Sequence, residues 1–275
     1  MYTHFAINGK WTVPRESHLP LESRAHKYGD GFFESMLQHQ GQILHLGHHY
    51  NRLETTARLL KIDWPFWLSQ TKLQNLINQK CELENIGTAR IRLAIYRHAS
   101  GLYTPVSNES LVVIELVEAP YYSWNTQGVK LCAFKELTKN RNYTSTLKTC
   151  NALTYVMAAI YTNEQKANAA LIFNEDGRIA EAHHSNIFLY NKNAIITPPI
   201  SEYCVNGVMR KVIINIATAY GYQVHEQPIT ELHLASSDEV FLTNATQGIQ
   251  WVGDYEGKVY KNHVAHNLYK KLAGV

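Results

Sequence analysis

Between Pro120 and Gln127 the apolar patterning of this 275-residue chain breaks, with strand-like and helix-like periods on both sides. The stretch is polar and turn-rich after Tyr121-Tyr122, which is the composition of a linker. Such a break predicts two domains, residues 1–118 and 128–275, joined by a linker at 119–127. The length permits a substantial core. Strands and helices mix in both halves, which predicts the α+β class with a small α/β domain first.

The first half opens as a hairpin. Phe5-Ala6-Ile7 and Trp11-Thr12-Val13 flank Asn8-Gly9, a dipeptide suited to a two-residue turn. The run Met1 to Pro14 alternates like a strand and lacks the basic and apolar regions of a signal peptide. Further strands are predicted at 32–37, 88–97 and 111–118, and helices at 48–60 and 67–81. Leu53, Ala57 and Leu60 share one helical face. In the second half, 129–134 predicts a strand. Leu153, Val156, Met157 and Ile160 keep helical spacing and predict the apolar face of a helix after Lys148. Two strands flank the turn Asn174-Glu175-Asp176-Gly177. Others follow at 186–190, 194–197 and 239–243, the last leading into a loop. Between them, Met209, Val212, Ile213, Ile216, Ala217 and Tyr220 recur on one helical face, and Gly221 is placed to end that helix. A final helix is predicted near 263–272.

Composition narrows the function classes. The net charge of +3 is too small to argue for nucleic acid or a membrane surface, and no apolar run approaches the eighteen or so residues of a membrane span. Cys81, Cys132, Cys150 and Cys204 are scattered, without the close pairs of a zinc site or disulfide framework. They read as free thiols in a reducing cytoplasm. The adjacent pairs His48-His49 and His183-His184 do not share a face, so neither reads as a metal site.

Three features could carry chemistry, and each also has a plain structural reading. Val205-Asn206-Gly207 opens a helix, whose free N–H groups and positive dipole end suit a phosphate; it could equally be an ordinary glycine loop. Glu181 lies in the short strand Arg178-Ile179-Ala180-Glu181-Ala182, and alternation puts Ile179, Glu181 and His183 on one face. A carboxylate there needs a partner, such as a protonated ring nitrogen, unless it sits on an exposed edge. Lys148 precedes an apolar helix, where a lysine could be desolvated into a reactive amine or simply be solvated.

In order along the chain, these residues resemble the class IV aminotransferase family, the fold-type IV pyridoxal-phosphate enzymes. That family includes branched-chain and D-amino-acid aminotransferases and 4-amino-4-deoxychorismate lyases. Tyr28-Gly29-Asp30-Gly31-Phe32-Phe33-Glu34 is similar to its early YGDGxFE block, and His49-Tyr50-Asn51-Arg52-Leu53 to its HxxRL helix. Leu147-Lys148-Thr149 resembles the Schiff-base segment. Gly177 to Glu181, closed by Ser185-Asn186-Ile187-Phe188, resembles its most diagnostic signature. Thr197-Pro198-Pro199, Gly207-Val208-Met209-Arg210 and Asp238 to Asn244 complete the order.

The resemblance implies a two-domain fold with a larger C-terminal pseudo-barrel domain carrying pyridoxal 5'-phosphate. It implies that Lys148 holds the cofactor as a Schiff base and shuttles the substrate proton. It implies Glu181 at the pyridine nitrogen, Arg52 at the phosphate, and the Val208 and Met209 N–H groups completing a phosphate cup. Asn186, Ala245 and Thr246 would also meet the cofactor. Phe33, Arg92, Tyr96 and Arg97 are the substrate candidates, and alternation puts Arg92 and Tyr96 on one strand face and Arg97 on the other. The expected enzyme is a homodimer that moves an amino group between a small amino acid and a 2-oxo acid; the alternative is a lyase releasing pyruvate and 4-aminobenzoate. The chain departs from the family pattern in places. Met209 stands where a threonine is common. Leu153 stands where branched-chain enzymes have a tyrosine, and Thr243-Asn244-Ala245-Thr246 is closer to the lyase branch.

Overall fold

The structure, a computed structural model, describes residues 3–13 and 22–274. Met1, Tyr2 and Pro14, at the ends of the alternating N-terminal run, lie outside the described residues. The chain divides into two compact units. One comprises residues 1–121 with Lys148–Asn151, and the other 122–147 with 152–275.

The first unit is built on an antiparallel sheet. Its strands are β1 (Thr3–Ile7), β2 (Lys10–Thr12), β3 (Gly31–His39), β4 (Gln42–Ile43), β5 (Thr88–Arg97) and β6 (Ser110–Glu118), in the order β2-β1-β6-β5-β3-β4. Asn8 and Gly9 both take positive φ, as the hairpin turn requires. Helix α1 (Arg24–Tyr28) precedes β3, and α2 (Leu46–Leu59) and α3 (Gln70–Leu83) cover one sheet face. Phe32, Met36, Ile91, Leu93 and Ile95 meet Leu53 and Ala57 of α2 and Leu73 and Ile77 of α3 there. Each of these except the smaller Ala57 contributes about 1.5–3 kcal/mol. The second of these covering helices starts at Gln70 rather than Trp67, because the Ser69 side chain caps it by accepting from Lys72 N–H.

The second unit carries a nine-stranded mixed sheet that curls as a half-barrel. Its strands are β7 (Val129–Lys139), β8 (Ala169–Asn174), β9 (Ile179–Ala182), β10 (Asn186–Asn191), β11 (Ala194–Thr197), β12 (Gln223–Glu226), β13 (Glu239–Asn244), β14 (Gly248–Tyr255) and β15 (Lys258–Val259). The order is β12-β11-β10-β13-β14-β7-β8-β9, with β15 on β14. Helix α4 (Leu153–Glu164) crosses between the parallel strands β7 and β8, and α5 (Val208–Ala219) between β11 and β12. Helices α6 (Glu231–Ser236) and α7 (His263–Ala273) complete it. Strand β8 is buried throughout, Leu171 and Phe173 in one core and Ala170 and Ile172 in another.

Three sequence expectations are corrected. The stretch after Asn244 is not all loop: β14 begins at Gly248, and its register slips between Val252 and Asp254, which hides the alternation. Of the predicted apolar face of α4, only Met157 packs inward, with Tyr155 and Tyr161 and beside the buried Ala158 and Thr162; Leu153, Val156 and Ile160 are 70%, 50% and 48% exposed. Ile179 and Glu181 do not share a face. Glu181 pairs with Ile172 and Ile179 with Phe173, so a bulge at Ala180 turns Ile179 into the other core.

Candidate active site

In the first unit, the site begins at the edge of β3. The segment Lys148–Asn151 is stitched there by Phe33 N–H donating to Lys148 O at 2.9 Å and Cys150 N–H donating to Gly31 O at 2.9 Å. Gly31 permits the approach of β5: a Cβ there would lie 2.6 Å from Tyr96 Cδ1 and 2.7 Å from Ile95 O. The half-buried Lys148 amine stands 4.5 Å from the centre of the Phe33 ring, and the Arg92 guanidinium carbon 3.8 Å from the same centre. Lys148, Phe33 and Arg92 therefore form one cluster on the sheet face away from α2 and α3. Tyr96 is on that face too, and Cys150 lies against Tyr96 and Arg92. Burial pushes the Cys150 thiol up, so it stays neutral beside the lysine. Glu115 pairs loosely with Arg92, at 3.4 Å.

Arg97 is corrected from substrate candidate to structural residue. It lies on the opposite face and is buried. It donates to Asp30 at 3.0 Å, to Lys61 O and Leu60 O at 2.7 Å each, and to Asn108. Asp30 is shared with the buried Arg24, which donates to it at 2.7 Å and holds the carbonyls of Gly101 and Leu102.

Arg52 brings two sequence motifs together. From α2 it donates to both oxygens of Glu34 on β3, at 2.6 Å each, and His49 Nδ1 lies 2.6 Å from Glu34 Oε2. Burial alone would raise the Glu34 carboxyl, but Arg52 and His49 overcome it and hold the pKa at about 2. The Glu34 fork fixes the orientation of Arg52.

In the second unit, Glu181 is buried on β9 with three donors. Lys139 Nζ lies 2.7 Å from Oε1, Tyr155 hydroxyl donates to Oε1 at 2.8 Å, and Val205 N–H donates to Oε2 at 2.9 Å. Val205 leads into α5. Asn186 Nδ2 donates to Val205 O at 2.9 Å, and a Cβ on Gly207 would fall 1.8 Å from Asn186 Oδ1. Gly207 thus starts α5 with its backbone against Asn186, and no side chain caps the helix. With no side-chain cap, the N–H groups at the start of α5, Val208 and Met209 among them, form a positive helix end suited to an anion. The turn between β13 and β14 holds Ala245 and Thr246. Asn244 Oδ1 accepts from Thr246 N–H and from its hydroxyl, and Asn244 Nδ2 donates to Ser185 beside Asn186.

A family model for Amino-transferase class IV matches residues 31–254. The chain belongs to the class IV aminotransferase family. It is an enzyme of that class, with the fold the sequence resemblance implied. The aminodeoxychorismate lyase of Vibrio harveyi is 28% identical over 249 residues, covering 89% of this chain and 89% of that one. The D-alanine aminotransferase of Bacillus licheniformis is 24% identical over 274 residues, covering 97% of this chain and 93% of its own. Among solved structures, the branched-chain aminotransferase of the thermophilic archaeon Thermoproteus uzoniensis with norvaline is 21% identical. It matches at a TM-score of 0.87, over 98% of this chain and 92% of that one.

Against this class IV frame, Lys139 and Tyr155 are the residues that sequence reasoning missed. Tyr155 carries the one usable signal: it stands two places beyond Leu153, the position where the branched-chain pattern has a tyrosine. Lys139 carries none, because β7 slips register between Phe134 and Lys139 and alternation cannot assign its face.

Proposed function

We propose that this class IV enzyme is a pyridoxal-phosphate aminotransferase acting on a small amino acid and a 2-oxo acid, with Lys148 as the lysine that carries the cofactor. The observation that supports this best is the cluster of Lys148, Phe33 and Arg92, an amine and a guanidinium sharing one ring. The residues fit the cofactor on three counts. Lys148 is a half-buried amine, Glu181 is a buried carboxylate with an acceptor site left on Oε2, and α5 begins uncapped behind a glycine that admits no side chain. When bound, pyridoxal phosphate supplies an aldehyde to take the amino group and a ring to take up the electron pair left at Cα.

The protein's residues do the rest. By the family resemblance, the phosphate would be held by Arg52 and by the Val208 and Met209 N–H groups, with Ala245 and Thr246 also at the cofactor and Asn186 holding the start of α5 in shape. Glu181 would accept a ring N–H and favour the protonated nitrogen. Lys148 would hold the cofactor, and its amine would take up the substrate Cα proton and give it back. Arg92 pairs with the substrate carboxylate, while Tyr96 and Phe33 bound the pocket and exclude water.

The lyase is a second reading, supported by the Vibrio harveyi relative and by the Thr243-Asn244-Ala245-Thr246 turn. It uses the same proton shuttle but ends in loss of pyruvate. A second copy of the chain is the expected partner. The exposed Leu153, Val156 and Ile160 stripe on α4, and Leu102, Tyr103 and Val106 after β5, offer apolar surface for it. The compartment in this reading is the cytoplasm, in keeping with four free thiols.

The test starts with reconstitution. Protein given pyridoxal phosphate and reduced with borohydride is expected to carry the label on Lys148 by peptide mapping; a protein that takes up no cofactor would sink the reading. Amino transfer from an amino acid to a 2-oxo acid supports the aminotransferase. Pyruvate released from 4-amino-4-deoxychorismate without an acceptor selects the lyase.

A further inference from the structure

Lys139 is buried and Tyr155 half-buried; the proposed chemistry has no use for either, and both are committed to one oxygen of Glu181. The ammonium stands 2.7 Å from Oε1 and also donates to Ser145 O at 2.6 Å, while the Tyr155 hydroxyl donates to Oε1 at 2.8 Å. The other oxygen, Oε2, receives Val205 N–H at 2.9 Å. The geometry points to Lys139 as a positioning residue that, with Tyr155, turns Glu181 and sets how tightly it holds a ring N–H. This rests on the reading of Glu181 as the partner of the cofactor's ring nitrogen.

A buried ammonium persists only against an anion, and Glu181 is the carboxylate that Lys139 touches. Lys139 in turn places its charge against that carboxylate before any ligand arrives. With Oε1 occupied by two side-chain donors, Oε2 is left as the oxygen with capacity for another. A pyridinium on Oε2 then meets a carboxylate whose charge is already balanced. The ring proton is held less firmly than a lone carboxylate would hold it, and it leaves at lower pH.

The other groups facing Glu181 do not supply this field. Burial, then the charge of Glu181, push the Tyr155 phenol well above its ordinary range, so it stays a neutral donor. Burial, then Glu181, push the Cys204 thiol up to about 12. Arg210 on α5 is engaged by Glu226 at 2.6 Å and Pro198 O at 2.8 Å. Among the described residues, Lys139 is the cation in contact with the carboxylate.

The experiment loads the full-length protein with pyridoxal phosphate labelled with 15N in the ring and follows the nitrogen shift against pH. Lys139→Met is expected to raise the midpoint by about one pH unit or more, a tenfold gain in proton affinity. Lys139→Arg restores the wild-type midpoint. Tyr155→Phe, which keeps the ion pair, gives a smaller rise and carries the test if Lys139→Met does not fold. A midpoint in Lys139→Met, or failing that in Tyr155→Phe, that equals or falls below wild type overturns the role of Lys139. Failure of the underlying reading looks different: Glu181→Gln then leaves the midpoint unmoved, or the protein binds no pyridoxal phosphate, and either result overturns the proposal with it.

Discussion

Glu34 and Glu181 are both buried carboxylates facing a cation, but their oxygens are filled differently. Glu34 receives Arg52 on both oxygens and His49 on one, all from charged or chargeable side chains at 2.6 Å. Glu181 concentrates Lys139 and Tyr155 on one oxygen and leaves the other with a single backbone donor. The first carboxylate is closed, and it locks α2 to β3. The second is open on one side. Saturation, more than burial or charge, separates a carboxylate that holds the fold from one that can take a ligand.

Glu34→Gln gives the largest effect expected from this contrast. It leaves Arg52 and His49 facing a neutral amide, and breaking a buried ion pair at one partner costs about 3–5 kcal/mol. Urea denaturation at neutral pH measures it. The pH dependence has a definite sign. The Glu34 pKa is depressed from 4.5 to about 2, so its stabilisation is full above the unfolded value and is lost as pH falls through about 2. The gap between wild type and Glu34→Gln is expected to close over that window, by about 3 kcal/mol at 1.36 kcal/mol per unit. A gap that stays constant with pH would show that Glu34 is not the closed carboxylate described.

Arg97→Gln comes next, and it asks whether the same rule holds for cations. Arg97 is as closed as Glu34, meeting Asp30, two backbone carbonyls and Asn108. Its loss leaves those acceptors unmet, at about 2–3 kcal/mol. The Michaelis constant for the 2-oxo acid is expected to stay within twofold or so, on the order of 0.4 kcal/mol. A tenfold rise without a loss of stability would return Arg97 to the substrate site.

Gly207→Ala tests the open side. Its φ of −66° suits any residue, so the expected damage is steric: the new methyl meets Asn186 Oδ1. Overpacking of this kind costs about 2 kcal/mol. It should also weaken pyridoxal phosphate binding, because the turn carrying Val205 and the start of α5 must shift. Asn186→Ala in the same chain removes the clash, so the double variant is expected to bind the cofactor better than Gly207→Ala alone. Additive losses in a calorimetric titration would contradict that.

The sequence made one side of this comparison more legible than the other. Regular periods placed β5, β10, β11 and α5 almost to the residue, because each keeps one alternation or one helical face from end to end. They failed where the backbone slips. The bulge at Ala180 sends Ile179 away from Glu181, the slip in β7 hides which way Lys139 faces, and the slip in β14 hides the strand itself. α4 failed for another reason: it is apolar on more than one side, so spacing found the helix and chose its outer face. The motifs named Glu34 in one block and His49 and Arg52 in another. That they form a single cluster is tertiary information, carried by β3 packing on α2.

Arg92→Gln is the smallest expected change in stability and the sharpest test of openness. Arg92 and Arg97 lie on one strand, five residues apart, and alternation turns them to opposite faces. Arg97 has a carboxylate, two carbonyls and a side-chain amide; the half-exposed Arg92 has the Phe33 ring, Glu115 at 3.4 Å, and Tyr96 and Cys150 beside it. A half-exposed pair at that distance contributes at most about 0.5–1 kcal/mol, and Gln keeps some packing on the ring, so stability should move by about 0.5 kcal/mol or less. If Arg92 pairs with the substrate carboxylate, the Michaelis constant for the 2-oxo acid rises about tenfold or more, which is the 1.4 kcal/mol or so of a lost charge-assisted contact. kcat is expected to change less, because Lys148 is placed by β3 and not by Arg92. Equal losses in kcat and stability would make Arg92 a support for Lys148 through Phe33, and openness would then fail as a guide to which cations bind substrate.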